Sequence, residues 1–330
     1  MKLRFLFSTL FLSLVVFFGT SNTYADAEEL NGKSFDDYTF GEIEVLLMDY
    51  LEEKNIHLEF GSQEFNEFLN DQYDNTTDQE LASRDYYPLI VSYMSEYMYQ
   101  LTIAEATNFK NNSLAATQFN VLGNIANTTV GELKKEIAAE EAEEAKELEM
   151  SEKTNDLMPN INLLASSYSV ANAKSYAEKW WNSRNQAFDS FTADCTNFVS
   201  QILWAGGKEM KLSKPIQEFN TNTSYWYMVD QQGLGRARSS SWGLVPEFFS
   251  HWSVTQPTVT SSTKKDIISK AKEGDIIQLK DKDATRWGHS LFVYSKANST
   301  IYLSAHSDNS LKKDFNSIGS NWTNFRVINF

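Results

Sequence analysis

At 330 residues, with 42% hydrophobic and 14% aromatic side chains, the chain is long enough for two domains and too aromatic to be disordered throughout. A formal net charge of −15 sets aside a nucleic-acid partner, and a single cysteine excludes an intramolecular disulfide.

The amino-terminal segment pairs two cations, Lys2 and Arg4, with an apolar run from Phe5 to Phe18 and a polar stretch ending Thr23-Tyr24-Ala25. The run is short for a bilayer span, and the small residues suit cleavage before Asp26. Residues 1–25 are therefore expected to be a signal peptide rather than an uncleaved anchor. No cysteine follows the run to take a lipid, and no later stretch is long and apolar enough to span a membrane. The expected location is secreted, extracellular or cell wall-associated, with no stable membrane anchor.

Charge then divides the chain. Residues 26–165 hold 30 acidic and 8 basic side chains, a net of −22, whereas residues 166–330 hold 14 and 19, a net of +5. A boundary is expected near Met158-Pro159-Asn160. In the first part, Ile43, Leu46, Leu47 and Tyr50 within Glu42–Glu53 recur at helical spacing, as do Leu89, Tyr93, Tyr97 and Leu101 after Pro88. Residues 26–130 thus read as mainly helical, with these stripes as core faces. Thr129-Val130-Gly131-Glu132 has the spacing of a capping box and opens an acidic helical linker over 131–158. Its apolar residues thin out after Ile137, so a solvated spacer is expected; no apolar seam persists for a coiled coil.

The second domain, residues 160–330, carries the chemistry. Asp194 is a good N-cap, and Phe198, Ile202 and Leu203 follow at helical spacing, so a helix is expected to begin near Cys195. Free amides and the positive end of the helix dipole favour thiolate there and can hold an oxyanion. The Asp194 carboxylate is expected to turn toward those amides. Of the four histidines, His57 and His251 lack a strand context. His289 opens a predicted strand, His289–Tyr294, and His306 ends another, Thr300–His306. Gly274–Leu279 reads as a further strand, and the two histidine-bearing strands are joined as an antiparallel hairpin through Lys296–Ser299. Period two puts His289, Leu291 and Val293 on one face of their strand, and Tyr302, Ser304 and His306 on one face of the next. If both histidines face the cysteine-bearing helix, His306 can hold the tautomer of His289, in the order nucleophile, base, orienter. Zinc is the competing use of Cys and His, but the close ligand pairs of zinc sites are missing; no metal and no cofactor is expected.

The ordered set Asp194-Cys195-Thr196-Asn197-Phe198-Val199-Ser200-Gln201, Ala205-Gly206-Gly207, Ser241-Trp242, Gly274-Asp275, Gly288-His289-Ser290 and Ser304-Ala305-His306 resembles the putative amidase domain family, over about residues 168–330. The resemblance implies an α+β, papain-like cysteine hydrolase domain, its cysteine-bearing helix packed on an antiparallel sheet, preceded here by the mainly helical acidic region. It implies catalytic roles for Cys195 as nucleophile, His289 as general base and acid, and His306 as the orienting residue. Asn197 and Gln201 are expected to be structural, and Trp242 and Trp287 either line a cleft or pack. The expected activity is hydrolysis of amide bonds through a thioester, with peptidoglycan peptides or another amide as substrate. The alternatives are a non-catalytic wall- or protein-binding module, a protein-directed cysteine protease, and an acyltransferase. The opposite charges of the two halves raise a further expectation, that the acidic region folds back and restrains the active site; a spacer serving only solubility is the alternative.

Overall fold

The computed structural model describes residues 29–107, 121, 123, 125–156, 168–231 and 235–330. The expected signal segment and the expected boundary at Met158-Pro159-Asn160 lie outside the described residues.

The amino-terminal part is helical after a small hairpin of β1 (Glu29–Leu30) and β2 (Lys33–Ser34). Helix α1 (Phe40–Glu53) starts at a capping box in which Thr39 and Glu42 satisfy each other's amides. Helix α2 (Gln63–Asn75) is capped by Ser62, and α3 (Gln79–Ala82) is a single turn capped by Asp78. Helix α4 (Tyr87–Thr107) buries the predicted stripe of Leu89, Tyr93, Tyr97 and Leu101, but it also buries Ser92, Ser95 and Glu96 on other sides. The reason is a second neighbour. One side of α4 meets α1 and α2, while the other bonds to the carboxy-terminal half, with Ser92 Oγ donating to the Asp283 carbonyl at 2.7 Å and Arg286 Nε to Glu96 at 2.9 Å.

Helix α5 (Val130–Asp156) begins at the expected box: Thr129 N donates to Glu132 Oε2 at 2.9 Å and Glu132 N to Thr129 Oγ1 at 3.2 Å. Among its described side chains, Val130, Leu133 and Ile137 of the first turns join the core.

The carboxy-terminal part adds α6 (Val170–Trp180), α7 (Cys195–Ala205), β3 (Phe219–Asn220), β4 (Met228–Asp230), β5 (Arg236–Ser239), α8 (Ser240–Gly243) and α9 (Val245–Ser253). There follow β6 (Thr258–Ser261), α10 (Lys264–Lys270), β7 (Ile276–Asp281), β8 (His289–Lys296), β9 (Ile301–Ala305), β10 (Ser310–Asp314) and β11 (Trp322–Ile328). Strands β6 to β11 form an antiparallel sheet in the order β10-β9-β8-β7-β11-β6, so the fold is α+β with the predicted β8–β9 hairpin at its centre.

Register assigns the faces. Ile276, Phe292 and Ile328 point toward α7 and join Phe198, Val199 and Ile202 in one apolar cluster. Ile277, Leu279, Leu291, Val293, Leu303 and Val327 point the other way and join Ile43, Leu69, Tyr73, Leu89 and Tyr97 in a second. The amino-terminal helices, together with Ile267 of α10 and Phe315, therefore form the layer that covers the second face of the sheet. Among the described residues no helix is long and apolar enough to cross a membrane.

Candidate active site

Helix α7 begins at Cys195 as its spacing predicts, but not for the expected reason. The Asp194 side chain makes no cap hydrogen bond. Its carboxylate instead accepts from Phe191 N at 3.0 Å, Asn197 Nδ2 at 2.7 Å and His306 Nδ1 at 2.6 Å, and Arg184 Nε lies 3.0 Å from it. A buried carboxylate with four donors is better satisfied than one serving a cap alone. The amides at the helix start are thus left unclaimed by Asp194, which keeps them free to meet a developing oxyanion.

Cys195 is 3% exposed. Its Sγ lies 3.7 Å from Thr196 Oγ1, which in turn meets Ser290 Oγ at 3.0 Å. Burial pushes the thiol up to about 12, reinforced by the Asp74 charge, while the Ser290 backbone amide and the Thr196 hydroxyl pull the other way. Ser290 follows His289 directly, so the sulfur sits beside the start of β8, where the candidate base is placed.

The ring of His289, a residue 5% exposed, belongs to the other sheet face, opposite Leu279. Its Nδ1 is 3.7 Å from Asp74 Oδ1, and its ring is tilted against Trp322. Burial pulls its pKa down to about 4; Lys313 acts in the same direction and Asp308 opposes it. Among the described residues no hydrogen bond joins Cys195 Sγ to His289.

His306 occupies a different place from the one the hairpin reading gave it. The pairing of Phe292 with Ser304 sets Ser290, not His289, on the face shared with His306. Its ring stacks on Phe198 with centroids 3.6 Å apart, and its Nε2 donates to the Trp180 carbonyl at 2.8 Å. With Nδ1 committed to Asp194, neither nitrogen is left for His289. Periodicity gives each strand its faces but not the register between strands, which is why the two histidines part.

Other residues singled out by the sequence are structural. Asn197 Oδ1 accepts from Trp242 Nε1 at 2.8 Å, and Gln201 Oε1 accepts from the Tyr176 hydroxyl at 2.7 Å. Trp242 is buried in packing, whereas Trp287 lines the cavity at Cys195. His251 holds the Thr223 carbonyl at 2.7 Å, and His57 is exposed. Among the described residues no group of three or more His, Cys, Asp or Glu is arranged to hold a metal ion.

Two residues that sequence reasoning missed come from α2. Tyr73 and Cys195 line one cavity of about 30 Å³, with room for water but not for a peptide. Met98, Tyr99 and Thr102 of α4 help to close it. The Tyr73 hydroxyl is buried without a hydrogen-bond partner among the described residues, and any side chain at Gly288 would collide with it, which accounts for the glycine before His289. Asp74 is the second. Its Oδ2 is likewise buried and unpartnered, and burial, aided by Asp308, raises its pKa to about 8. Tyr73 continues the apolar stripe of Phe65 and Leu69 and was legible as core; nothing in the sequence marks the next residue as buried.

The comparisons bear on the carboxy-terminal half. Residues 167–328 match a family model described as a putative amidase domain. Over 138 residues, 39% of this chain, the sequence is 30% identical to a Bacillus subtilis (strain 168) protein described as "Uncharacterized protein YhbB". The aligned part covers 38% of that protein, so the chain spans well under half of this relative's length. No solved structure matches the chain.

Proposed function

We propose, from the membership of residues 167–328 in the putative amidase domain family, that this protein hydrolyses amide bonds by a papain-like cysteine mechanism. The observation that carries the reading is the placement of the chain's one cysteine at the start of α7, its sulfur beside the Ser290 amide and hence next in chain to His289.

In the reaction, Cys195 Sγ attacks the carbonyl carbon as His289 takes the thiol proton, and the oxyanion forms against the free amides at the start of α7. The C–N bond then breaks, His289 delivers its proton to the leaving amine, and a thioester remains. Water, deprotonated by His289, attacks the thioester, the C–S bond breaks, and Cys195 recovers its proton. His306 acts as a positioning residue: it holds Asp194, and through Asp194 the start of α7. Burial keeps the resting pair as thiol and neutral imidazole and makes proton transfer between them unfavourable, so the pair becomes reactive only when that burial is relieved.

The amino-terminal helices enter this scheme as the restraint. Tyr73, Met98, Tyr99 and Thr102 close the cavity over Cys195, so substrate reaches the sulfur only when that layer shifts. An exported enzyme acting on peptidoglycan peptides fits the amino-terminal segment and the family. The same closure favours a second reading, a binding module whose cysteine is an inert buried thiol.

Digestion of purified peptidoglycan by the protein and by Cys195→Ala, with mass spectrometry of released fragments, separates the two. Fragments with a new amine and a new carboxylate, absent with Cys195→Ala, are expected. Identical digests from both proteins would remove the cysteine mechanism.

A further inference from the structure

A second cavity, of about 450 Å³, opens beside the closed one, between α2 and the segment leading into Cys195. Its α2 wall is formed by Gln63, Asn66, Glu67, Asn70 and Asp71. These positions fall on one face of the helix, and Asp74, against His289, continues it at the next turn. Phe191 and Thr192 line the opposite wall, a few residues before Cys195, and Ser307 lines the end next to His306. The groove's lining includes neither Cys195 nor His289, but its two walls are the chain segment just before the one and the helix that carries Asp74 to the other.

Its chemistry is one-sided. Glu67, Asp71 and Glu105 bring three carboxyl groups to the lining, Glu105 already accepting from Thr192 N at 3.0 Å and Thr192 Oγ1 at 2.6 Å, against the single guanidinium of Arg184. That guanidinium is already committed, with Nε 3.0 Å from Asp194 and Nη1 donating to Asn309 at 3.1 Å. Burial, together with the charges of Glu67 and Asp308, pushes the Asp71 carboxyl up, so the carboxylates press on one another. An independent sign of a ligand is Asn70. It is 8% exposed, faces the groove, and its side-chain amide has no hydrogen-bond partner among the described residues. The residue is largely buried while its amide opens onto the groove, where it is placed to receive a peptide group.

We infer that the polar face of α2 is a substrate subsite that takes a peptide carrying a free ammonium group, which Glu67 and Asp71 neutralise while Asn70 bonds the peptide backbone. This names the substrate class of the site and rests on the proposed hydrolase reading for the chemical step after binding. It also assigns the acidity of this part of the amino-terminal region to recognition rather than to solubility. Because α2 also carries Tyr73 onto the Cys195 cavity, ligand in the groove lies against the helix whose shift opens that cavity.

The experiment uses the full chain and two probes, a short lysine-containing peptide amide and the same peptide with its ammonium acetylated. Binding is measured by calorimetry to Cys195→Ala, so that it does not depend on turnover; hydrolysis is measured separately with the unaltered enzyme. The expected result is binding at least about tenfold weaker for the acetylated peptide, a charge-assisted contact of ordinary strength. The preference should vanish in E67Q/D71N, while Asn70→Leu weakens both peptides alike. Circular dichroism melts confirm that each variant is folded. Equal binding of the two peptides, no binding of either, or a preference that survives in folded E67Q/D71N overturns the subsite. Selective binding without Cys195-dependent hydrolysis supports the subsite and counts against the hydrolase reading alone.

Discussion

The two faces of the central sheet are finished by different parts of the chain and in different chemistry. Around Asp194, on the α7 face, the polar residues form a closed network: Asp194 has four donors, His306 uses both ring nitrogens, and Gln278 bonds Ser290 and Arg326, although farther out Trp252 Nε1 and Ser240 Oγ are buried without a partner among the described residues. On the other face Asp74, Tyr73 and His289 are buried with hydrogen-bonding capacity unspent. A satisfied network rigidifies, whereas unsatisfied buried groups are costly and are kept where a ligand or a reaction uses them. The contrast teaches that the family-matched half builds the scaffold around Cys195, while the surroundings of His289 are completed by α2, outside residues 167–328.

The largest expected effect breaks the comparison outright. Truncation to residues 160–330 uncovers Ile277, Leu279, Leu291, Val293, Leu303, Phe325 and Val327 on the second face. At about 1.5–3 kcal/mol for each large apolar side chain, the loss matches or exceeds the whole stability of an ordinary domain, about 5–15 kcal/mol. The fragment is expected to be insoluble or to melt without cooperativity in circular dichroism. A soluble fragment with a sharp melt would show that the face needs no cover.

Next comes the reactivity of the thiol. With Cys195 pushed up to about 12 by burial, its thiolate fraction at pH 8 is roughly a thousandfold below that of a free cysteine. Alkylation by iodoacetamide, followed by mass spectrometry, should be slower by about that factor. Tyr73→Ala removes a ring from the cavity wall and should restore much of the rate. A fast reaction in the unaltered chain would mean that the amino-terminal layer does not close the site.

A third comparison sets Asp194 against Asp74. Asp194→Ala leaves His306 and Arg184 without their buried partner and should cost about 3–5 kcal/mol in urea denaturation. Asp74→Asn removes a carboxyl with one unpartnered oxygen and a single partner at 3.7 Å. Because burial raises the folded group to about 8 while the unfolded group ionises, at neutral pH the change should not destabilise and should instead stabilise. Equal costs for the two would erase the distinction between the faces.

Much of this organisation was readable in the sequence. Thr129 and Glu132 announced the start of α5, the stripe of Leu89, Tyr93, Tyr97 and Leu101 announced α4, and Phe198 and Ile202 announced α7, because capping and helical period act within a few residues. Strands β8 and β9 were legible for the same local reason. What escaped was long-range. The register that turns His306 away from His289 depends on cross-strand pairing, and the burial of Asp74 depends on α2 meeting a sheet more than 200 residues later in the chain. Charge left open whether residues 26–165 fold back on the rest or serve only solubility; the apolar residues among those charges share one core with the sheet.

The smallest expected effect concerns pH, because two groups on the second face act in opposite senses. His289 titrates at about 4 in the folded chain against an unfolded value of 6.5. In that window the unfolded chain binds more protons, so the His289 contribution is full above 6.5 and is lost as pH falls through about 4. Asp74 is raised to about 8 from 3.8, so its contribution is full below 3.8 and is lost as pH rises through about 8. Asp308 and Lys313, which also face His289, remain in every variant. His251, drawn down to about 4 by its own burial, adds the same slope throughout and cancels when variants are compared with the parent. Between pH 7 and 5 the two shifts therefore offset each other, and the unaltered pair should contribute within about 1 kcal/mol of no change. Each single variant exposes the partner left behind. Relative to the parent, Asp74→Asn should lose stability on acidification from pH 7 to 5, and His289→Asn should gain it, each by about 1–3 kcal/mol in urea denaturation. Parallel curves for both variants and the parent would show that the two side chains titrate as they do in water, and that α2 does not bury His289.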